Sequence, residues 1–521
     1  MNATGYWPHQ SLDALFVQTV RQQPNGEAII DDTHRLTFME LEHRSVRIAC
    51  ALKSIGFGPG DVIAYQLPNW WEAVVVFLAT LRIGATVNPL LPIFRESELH
   101  FTLRQSGAGA LVIPGVYRGC DYRQLVAGLR PELPALRQVF VARDAAPASM
   151  RSFDALLDRS GDRATRVAAI DPDAVALLMY TSGTTAAPKG VLHSHNTLAA
   201  EVLSLERVHQ LAPNDRTLMP SPLTHISGVI HGILTPALLG TSAVLMDRWE
   251  SVRAAALIAR EQVTYMVGAP TFLQDLLALA PEVTDLRSLR LFSCGGAGVS
   301  PALVRQARER FPHCVTKRVY GSTEFPTLTT TDAADALTHG IDTEGRAIAP
   351  AEVRIADETG FPLPPGVEGE VQGRGPECFV GYVDPALNTD TFTADGWFRT
   401  GDLGALDNAG YLRITGRLKD IVIRKGEKIS VKELEDVIAA HPAVLEVAVI
   451  ALPDPKTGER ACTFVRLRPG MTLDLAALTQ ALAAQGLAKQ KWPEQLEVIE
   501  DFPRTESGKI LRSRLREQFG A

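Results

Sequence analysis

The feature that most constrains this chain is an alternation, running from about residue 10 to residue 410, between helix-sized amphipathic stretches and short apolar runs. Val62 to Gln66, Ala110 to Ile113, Gln138 to Val141, Val175 to Met179, Thr264 to Val267 and Leu289 to Phe292 read as buried strands. Trp71 to Arg82, Thr197 to Val208 and Pro301 to Arg310 read as helices between them. Parallel strands need a long crossover, and a helix supplies it, so the alternation predicts an α/β fold with two parallel-rich sheets. Ligands in such folds gather where loops leave the strand ends.

The pattern changes twice. After Leu363-Pro364-Pro365-Gly366 the runs become short and turn-rich, as in Gly369 to Gly373 and Tyr411 to Thr415, which predicts a small β subdomain. Beyond Gly416-Arg417-Leu418-Lys419-Asp420, a helix (Val431 to Ala440), a strand (Val444 to Ala451) and a second helix (Leu475 to Ala484) predict a compact α+β unit. The boundary is placed near Lys419. It divides a large N-terminal domain, 1–418, from a small C-terminal domain, 419–521.

Composition narrows the function. With 46% apolar and 21% charged residues among 521, the chain is neither disordered nor fibrous, and it is long enough to bury a large core. A formal charge of −7 argues against a nucleic-acid partner, which a basic surface would serve. Six cysteines without a C-x-x-C pair suggest no zinc site and no disulfide framework, and a reducing, cytoplasmic setting follows. The N-terminus carries no basic-then-apolar leader pattern. Ile226 to Met246 has no formal charge and could cross a bilayer by length, but His231, Gly232, Pro236 and Gly240 interrupt it. A buried helix followed by a buried strand is expected there, with no integral membrane association.

The sharpest local signal is Tyr180-Thr181-Ser182-Gly183-Thr184-Thr185-Ala186-Ala187-Pro188-Lys189-Gly190, directly after an apolar strand. Hydroxyls, a glycine and a cation in one loop can surround a polyphosphate with donors and offset its charge. It is not a Walker loop, since proline precedes the lysine and glycine follows it. Alone, such a segment could also be a solvated turn.

The loop resembles the phosphate-binding signature of the acyl-adenylate-forming superfamily of AMP-binding enzymes, with Ala186 where the family usually has glycine. Further motifs follow in the family's order. Tyr320-Gly321-Ser322-Thr323-Glu324 resembles the segment whose aromatic ring stacks on adenine, whose threonine meets the α-phosphate and whose glutamate helps to hold Mg²⁺. Gly295-Gly296-Ala297 fits the loop beside the adenine. Thr400-Gly401-Asp402-Leu403-Gly404 matches the motif whose aspartate grips the ribose, and Arg417 the arginine that reaches ribose or phosphate. Lys419 falls at the family's hinge. Gly426, within Arg424-Lys425-Gly426-Glu427-Lys428, matches the loop lining the pantetheine tunnel, and Lys509, after Pro503-Arg504-Thr505-Glu506-Ser507-Gly508, matches the catalytic lysine.

The resemblance implies two half-reactions: carboxylic acid and ATP give acyl-AMP and pyrophosphate, then coenzyme A gives acyl-CoA and AMP. A carboxylate is ionised at pH 7, so its attack on phosphorus needs positioned charge rather than a base. Lys509 is assigned to bridge the acyl carboxylate and the α-phosphate, Glu324 to Mg²⁺, and Lys189 with hydroxyls such as Thr184 to the leaving pyrophosphate. The C-terminal domain is expected to rotate about Lys419 between the two steps.

For the acid, Pro222-Leu223-Thr224-His225 matches the family's acyl-pocket segment, and it lacks the aspartate with which amino-acid-activating relatives pair an ammonium group. His225 is expected to close the carboxylate end of the pocket, with Ser227, Gly228, His231 and Gly321 continuing its wall. Packing alone could also account for a histidine here. Acetate-specific relatives carry tryptophan in place of Gly321. The pattern most resembles bacterial short- to medium-chain and cyclohexanecarboxylate CoA ligases, with fatty, cyclic and aryl acids all open. A carrier protein as acyl acceptor, a catalytically silent homologue and a homodimer remain alternatives.

Overall fold

The computed structural model describes residues 6–158, 170–181, 188–281, 285–418, 421–424, 427–455, 457–505 and 508–519. Two large sheets organise the N-terminal part. Among the described residues the first has nine strands, with Val315–Tyr320, Leu291–Gly295, Tyr265–Gly268, Arg216–Met219, Ser242–Leu245 and Glu27–Ile30 parallel along its centre. The second has eight, with Val175–Tyr180, Thr86–Pro89, Val62–Tyr65, Ala110–Pro114 and Gln138–Ala142 parallel at its middle. The fold is therefore α/β, with two parallel-rich sheets.

Helix Trp71–Arg82 is buried along its whole length, and it shares one core with helices Leu12–Gln22 and Phe38–Ser54. Its all-round apolar surface suits that central place. At its end Arg82 is 2% exposed, and its guanidinium is neutralised by Asp13 at 2.8 Å and Glu42 at 3.6 Å. A buried charge left unpaired would be costly, so these carboxylates are conditions of the packing.

An antiparallel four-stranded sheet, Glu352–Ala356, Gly369–Arg374, Phe398–Leu406 and Leu412–Arg417, forms the small β subdomain. The C-terminal part wraps helices Val431–Ala439 and Leu475–Ala484 around a sheet whose longest pair is Val444–Asp454 with Gly458–Leu467. It has its own apolar core, centred on Val422, Leu434, Val449 and Leu478.

The apolar run from Ile226 folds as a buried, mixed helix: α over Ile226–Gly228, π over Val229–Leu234, α again over Thr235–Leu239. Strand Ser242–Leu245 follows it. Gly228 and Gly232 explain its close seat on the strand-end loop, since a Cβ on Gly228 would lie 1.9 Å from the Pro222 carbonyl oxygen and one on Gly232 2.6 Å from Leu223 Cδ2. Among the described residues no helix is long and apolar enough to cross a membrane.

Candidate active site

Strands Val175–Tyr180 and Gly190–Ser194 form an antiparallel hairpin whose connection is the hydroxyl-rich loop. Its ends are clamped: the Thr181 amide donates to the Lys189 carbonyl at 3.0 Å, and the Lys189 amide to Thr181 Oγ1 at 3.4 Å. Ser182, Gly183, Thr184 and Thr185 lie outside the described residues. Lys189 Nζ sits 4.8 Å from the centre of the Tyr382 ring, and the Tyr382 hydroxyl donates to Glu324 Oε1 at 2.7 Å. One aromatic ring thus joins the loop's cation to the carboxylate of the second motif.

That second motif is a tight turn between strands Val315–Tyr320 and Thr329–Thr330. Ser322 N–H donates to the Phe325 carbonyl at 2.8 Å, and Phe325 N–H returns a bond to Ser322 Oγ at 3.2 Å. Gly321 is required by space, because its Cβ would lie 2.1 Å from the Pro326 carbonyl oxygen. The Thr323 carbonyl meets Nε2 of buried His193 at 2.8 Å, which pins the turn to the hairpin. Burial pushes His193 down to about 4, so the ring is neutral and can donate through Nε2.

Asp402 is the hub of the neighbouring wall. It is 6% exposed; Oδ2 accepts from the Tyr320 hydroxyl at 2.7 Å and Oδ1 lies 2.7 Å from Arg417 Nε. Asp402 and Arg417 are direct cross-strand partners, so the ladder itself delivers the pair. Gly295 ends its strand with no room for a side chain, since a Cβ would stand 2.5 Å from the Val319 carbonyl oxygen. Gly296 follows in the left-handed region at φ 77°, and Ala297 is exposed beside it.

Onto this wall comes a hairpin from the far end of the chain. Thr505 N–H donates to the Lys509 carbonyl at 2.8 Å and Lys509 N–H to Thr505 Oγ1 at 3.0 Å, which closes the loop. Gly508, at φ 82°, seats it so tightly that a Cβ would be 2.7 Å from Thr271 Oγ1. Lys509 Cε lies 3.5 Å from the Cβ position of Gly296. Burial lowers the Lys509 ammonium to about 8, Arg417 pushes the same way, and Glu324 and Asp402 oppose it. Lys509, Glu324, Asp402, Arg417 and Gly296 therefore share one electrostatic neighbourhood.

His225 caps the mixed helix, its Nδ1 accepting from Ser227 N–H at 3.3 Å. Burial, with Lys509 nearby, lowers it to about 3, so it is neutral and presents an Nε2 donor. Ser227 is half-buried and Gly228 buried against Pro222. His231 is 5% exposed, with Nδ1 2.8 Å from the Tyr265 hydroxyl. Lys419 and Gly426 lie outside the described residues. Sequence reasoning did not single out Tyr382 or His193. The pair Gly381–Tyr382 is too short a strand to carry a pattern, while His193 follows Val191 and Leu192 in a five-residue strand whose spacing gives a single histidine no distinguishing signal.

Residues 16–383 match the pattern of the AMP-binding enzymes, and residues 433–509 that of the AMP-binding enzyme C-terminal domain. The chain belongs to the AMP-binding enzyme family. Among curated members it is 36% identical over 519 residues to the medium-chain fatty-acid–CoA ligase of Escherichia coli (strain K12), covering 99% of this chain and 91% of that one. It is 33% identical to a salicyl-AMP ligase / salicyl-S-ArCP synthetase of Mycobacterium tuberculosis, covering 99% and 92%. Among solved structures, ATP-bound MatB from Rhodopseudomonas palustris superposes with a TM-score of 0.87 at 29% identity, covering 98% of this AMP-binding enzyme and 99% of MatB.

Proposed function

We propose that this AMP-binding enzyme is an AMP-forming acyl-CoA synthetase that joins a medium-chain or cyclic carboxylic acid to AMP and then passes the acyl group to coenzyme A. The observation that carries this reading is the convergence of Lys509 with Gly296, Glu324, Asp402 and Arg417, residues from distant parts of the chain that have no packing reason to bring so many charges together. The E. coli relative, a medium-chain fatty-acid–CoA ligase, supports both the acid class and the acceptor.

Two anions must meet for an acyl carboxylate to attack the α-phosphate, and Lys509 is the cation assigned to hold them together. The departing pyrophosphate is assigned to Lys189 and the hydroxyls of the loop, Thr181, Ser182, Thr184 and Thr185. Tyr320, Gly295, Gly296 and Ala297 bound the adenine, while Thr323 faces the α-phosphate and Asp402 with Arg417 the ribose. The Glu324 carboxylate suits a hard cation: one oxygen is held by Tyr382, and the other meets no hydrogen-bond donor among the described residues. Glu324 together with the nucleotide phosphates would hold Mg²⁺, which supplies charge neutralisation there.

A neutral His225 presents an N–H donor beside the carboxylate end of the acyl chamber. In the second step a thiol attacks the mixed anhydride, and Lys509 has no further task. The division into 1–418 and 419–521 belongs to this reading, with Lys419 as the pivot and the Gly426 loop replacing the Lys509 loop when coenzyme A arrives. The salicyl-AMP relative, named also as a salicyl-S-ArCP synthetase, makes a carrier protein the acceptor to be tested against.

The test is pyrophosphate exchange into ATP with a panel of carboxylic acids, followed by mass spectrometry with free coenzyme A and with an added carrier protein. Acid-dependent exchange and acyl-CoA as the product are expected. An absence of exchange with every acid overturns the reading, and acylation of the carrier alone overturns the assigned acceptor.

A further inference from the structure

Along the strands beneath the Gly295–Gly296 loop, one face of the nine-stranded sheet carries a polar rung above an apolar cluster of Tyr265, Leu291 and Val315. The register pairs Gly295 with Val319, Ser293 with Lys317, and Val267 with Ser293, so these side chains share one face. Tyr265 lies on it as well, with its hydroxyl on His231 of the mixed helix that His225 caps. The Ser293–Lys317 rung sits two residues, about 7 Å, below the loop that meets Lys509. That depth matches a short alkyl chain or a saturated ring hanging from a carboxylate held at Lys509.

Helix His195–His209 brings Glu201 to the Tyr265 side chain on this face. Glu201 is 1% exposed, yet neither carboxyl oxygen makes a hydrogen bond of good geometry among the described residues. The Thr327 hydroxyl and amide, within the same turn as Gly321 and Glu324, face it, and Tyr265 and Glu377 are its ionisable neighbours. Ser293 Oγ, 1% exposed, is likewise without a partner among the described residues. Buried polar groups are nearly always hydrogen-bonded, because stripping water from them without replacement is costly. Glu201 stands beside Tyr265, and Ser293 lies one rung along the same face, so a single occupant could bond both.

Resting on the ligase reading above, we propose that the acid handled by this enzyme carries a neutral oxygen function, a hydroxyl or ketone, at the end remote from its carboxylate, and that Glu201 receives it. The carboxyl suits that partner. Burial first, and Glu377 second, push it up to about 8 while Thr327 works against the shift, so at neutral pH it is largely protonated and can both donate and accept.

The experiment compares matched acids in pyrophosphate exchange: hexanoate with its ω-hydroxy derivative, cyclohexanecarboxylate with its 4-hydroxy derivative, and 6-aminohexanoate as the cationic member. Wild-type kcat/KM is expected to favour a hydroxy acid over its plain partner by about tenfold or more, because a site with polar groups to satisfy rejects the analogue that lacks them. Glu201→Leu should invert that ratio and Glu201→Gln should keep part of it. A wild-type ratio near one, or a preference for the plain acids, overturns the proposal while leaving the ligase intact. Preference for the amino acid overturns the neutral-oxygen assignment, and no exchange with any acid fails the ligase reading itself. The wild-type ratio decides even where a Glu201 variant does not fold.

Discussion

The Tyr382 hydroxyl donates to Oε1 of Glu324 at 2.7 Å, and the same ring lies 4.8 Å from Lys189 Nζ. Tyr382 comes from a two-residue strand, Gly381–Tyr382, paired with Gly190–Ser194 at the base of the phosphate loop. It is therefore placed to set the position of both charges, Lys189 that the reading gives to the phosphates and Glu324 that it gives to Mg²⁺. Tyr382→Phe removes a hydrogen bond to a carboxylate, worth about 1.5–3 kcal/mol, and should lower kcat/KM for ATP by roughly ten- to a hundredfold. Half-maximal exchange should also need more magnesium. An unchanged magnesium dependence would show that Tyr382 does not position Glu324.

Lys509 lies beside the Gly296 loop, and the hairpin bearing it is seated through Gly508 close against Thr271. Lys509→Ala should suppress adenylate formation by about a hundredfold or more, in line with roughly 3 kcal/mol or above for one charge-stabilising group. A chemically supplied acyl-adenylate should still react with coenzyme A at near wild-type rate. Equal loss of both steps would remove the bridging role from Lys509.

The Lys509 ammonium is lowered to about 8, chiefly by burial. Only the charged form can bridge two anions, so kcat/KM for adenylation should fall as pH rises through about 8. Acyl transfer from supplied adenylate should not show that fall, because thiolate increases over the same range. A stopped-flow profile of each half-reaction from pH 6 to 10 checks the sign; a shared descending limb would contradict it.

Much of this architecture was legible in the amino-acid order because burial imposes period and length. Helices Trp71–Arg82 and Pro301–Arg310 and strand Val175–Tyr180 sit where the apolar pattern puts them, to within a residue. Strand Leu291–Gly295 begins two residues later than expected, since Leu289 packs as the loop residue leading into it. The π segment Val229–Leu234 was invisible, as a stretch apolar on all sides gives no period to distinguish one helix type from another. The site divides the same way. Asp402 and Arg417 stand in recognisable motifs, and the ladder that makes them partners is local. Tyr320 bonding Asp402, Tyr382 bonding Glu324 and His193 bonding Thr323 join residues from 58 to 130 positions apart, and nothing in sequence spacing announces such contacts.

The Gly426 loop is assigned to the thiol's path, and the adenylation wall is built from other residues. Gly426→Trp should accordingly leave pyrophosphate exchange within about twofold of wild type while blocking thioester formation, since a bulky side chain obstructs a thin chain and the adenylation step is assigned to other residues. Normal acyl-CoA yield from that variant, measured by mass spectrometry, would withdraw the tunnel assignment.

Gly321 offers a sharper contrast between two physical roles. If it served only to lengthen the acyl chamber, Gly321→Trp would shift preference toward short acids and leave the enzyme otherwise intact. Its Cβ position, however, lies 2.1 Å from the Pro326 carbonyl oxygen and 2.7 Å from that of Phe325. Backbone cannot yield to such contacts as a flexible side chain can, so any substitution must displace the turn that also carries Thr323, Glu324 and Thr327. Even Gly321→Ala should cost about 1–3 kcal/mol of stability. It should also lower exchange with every acid in the panel by a similar factor, through misplaced Glu324. A clean gain of short-acid activity with an unchanged thermal midpoint would mean that the turn can open, and that chamber length alone explains the glycine.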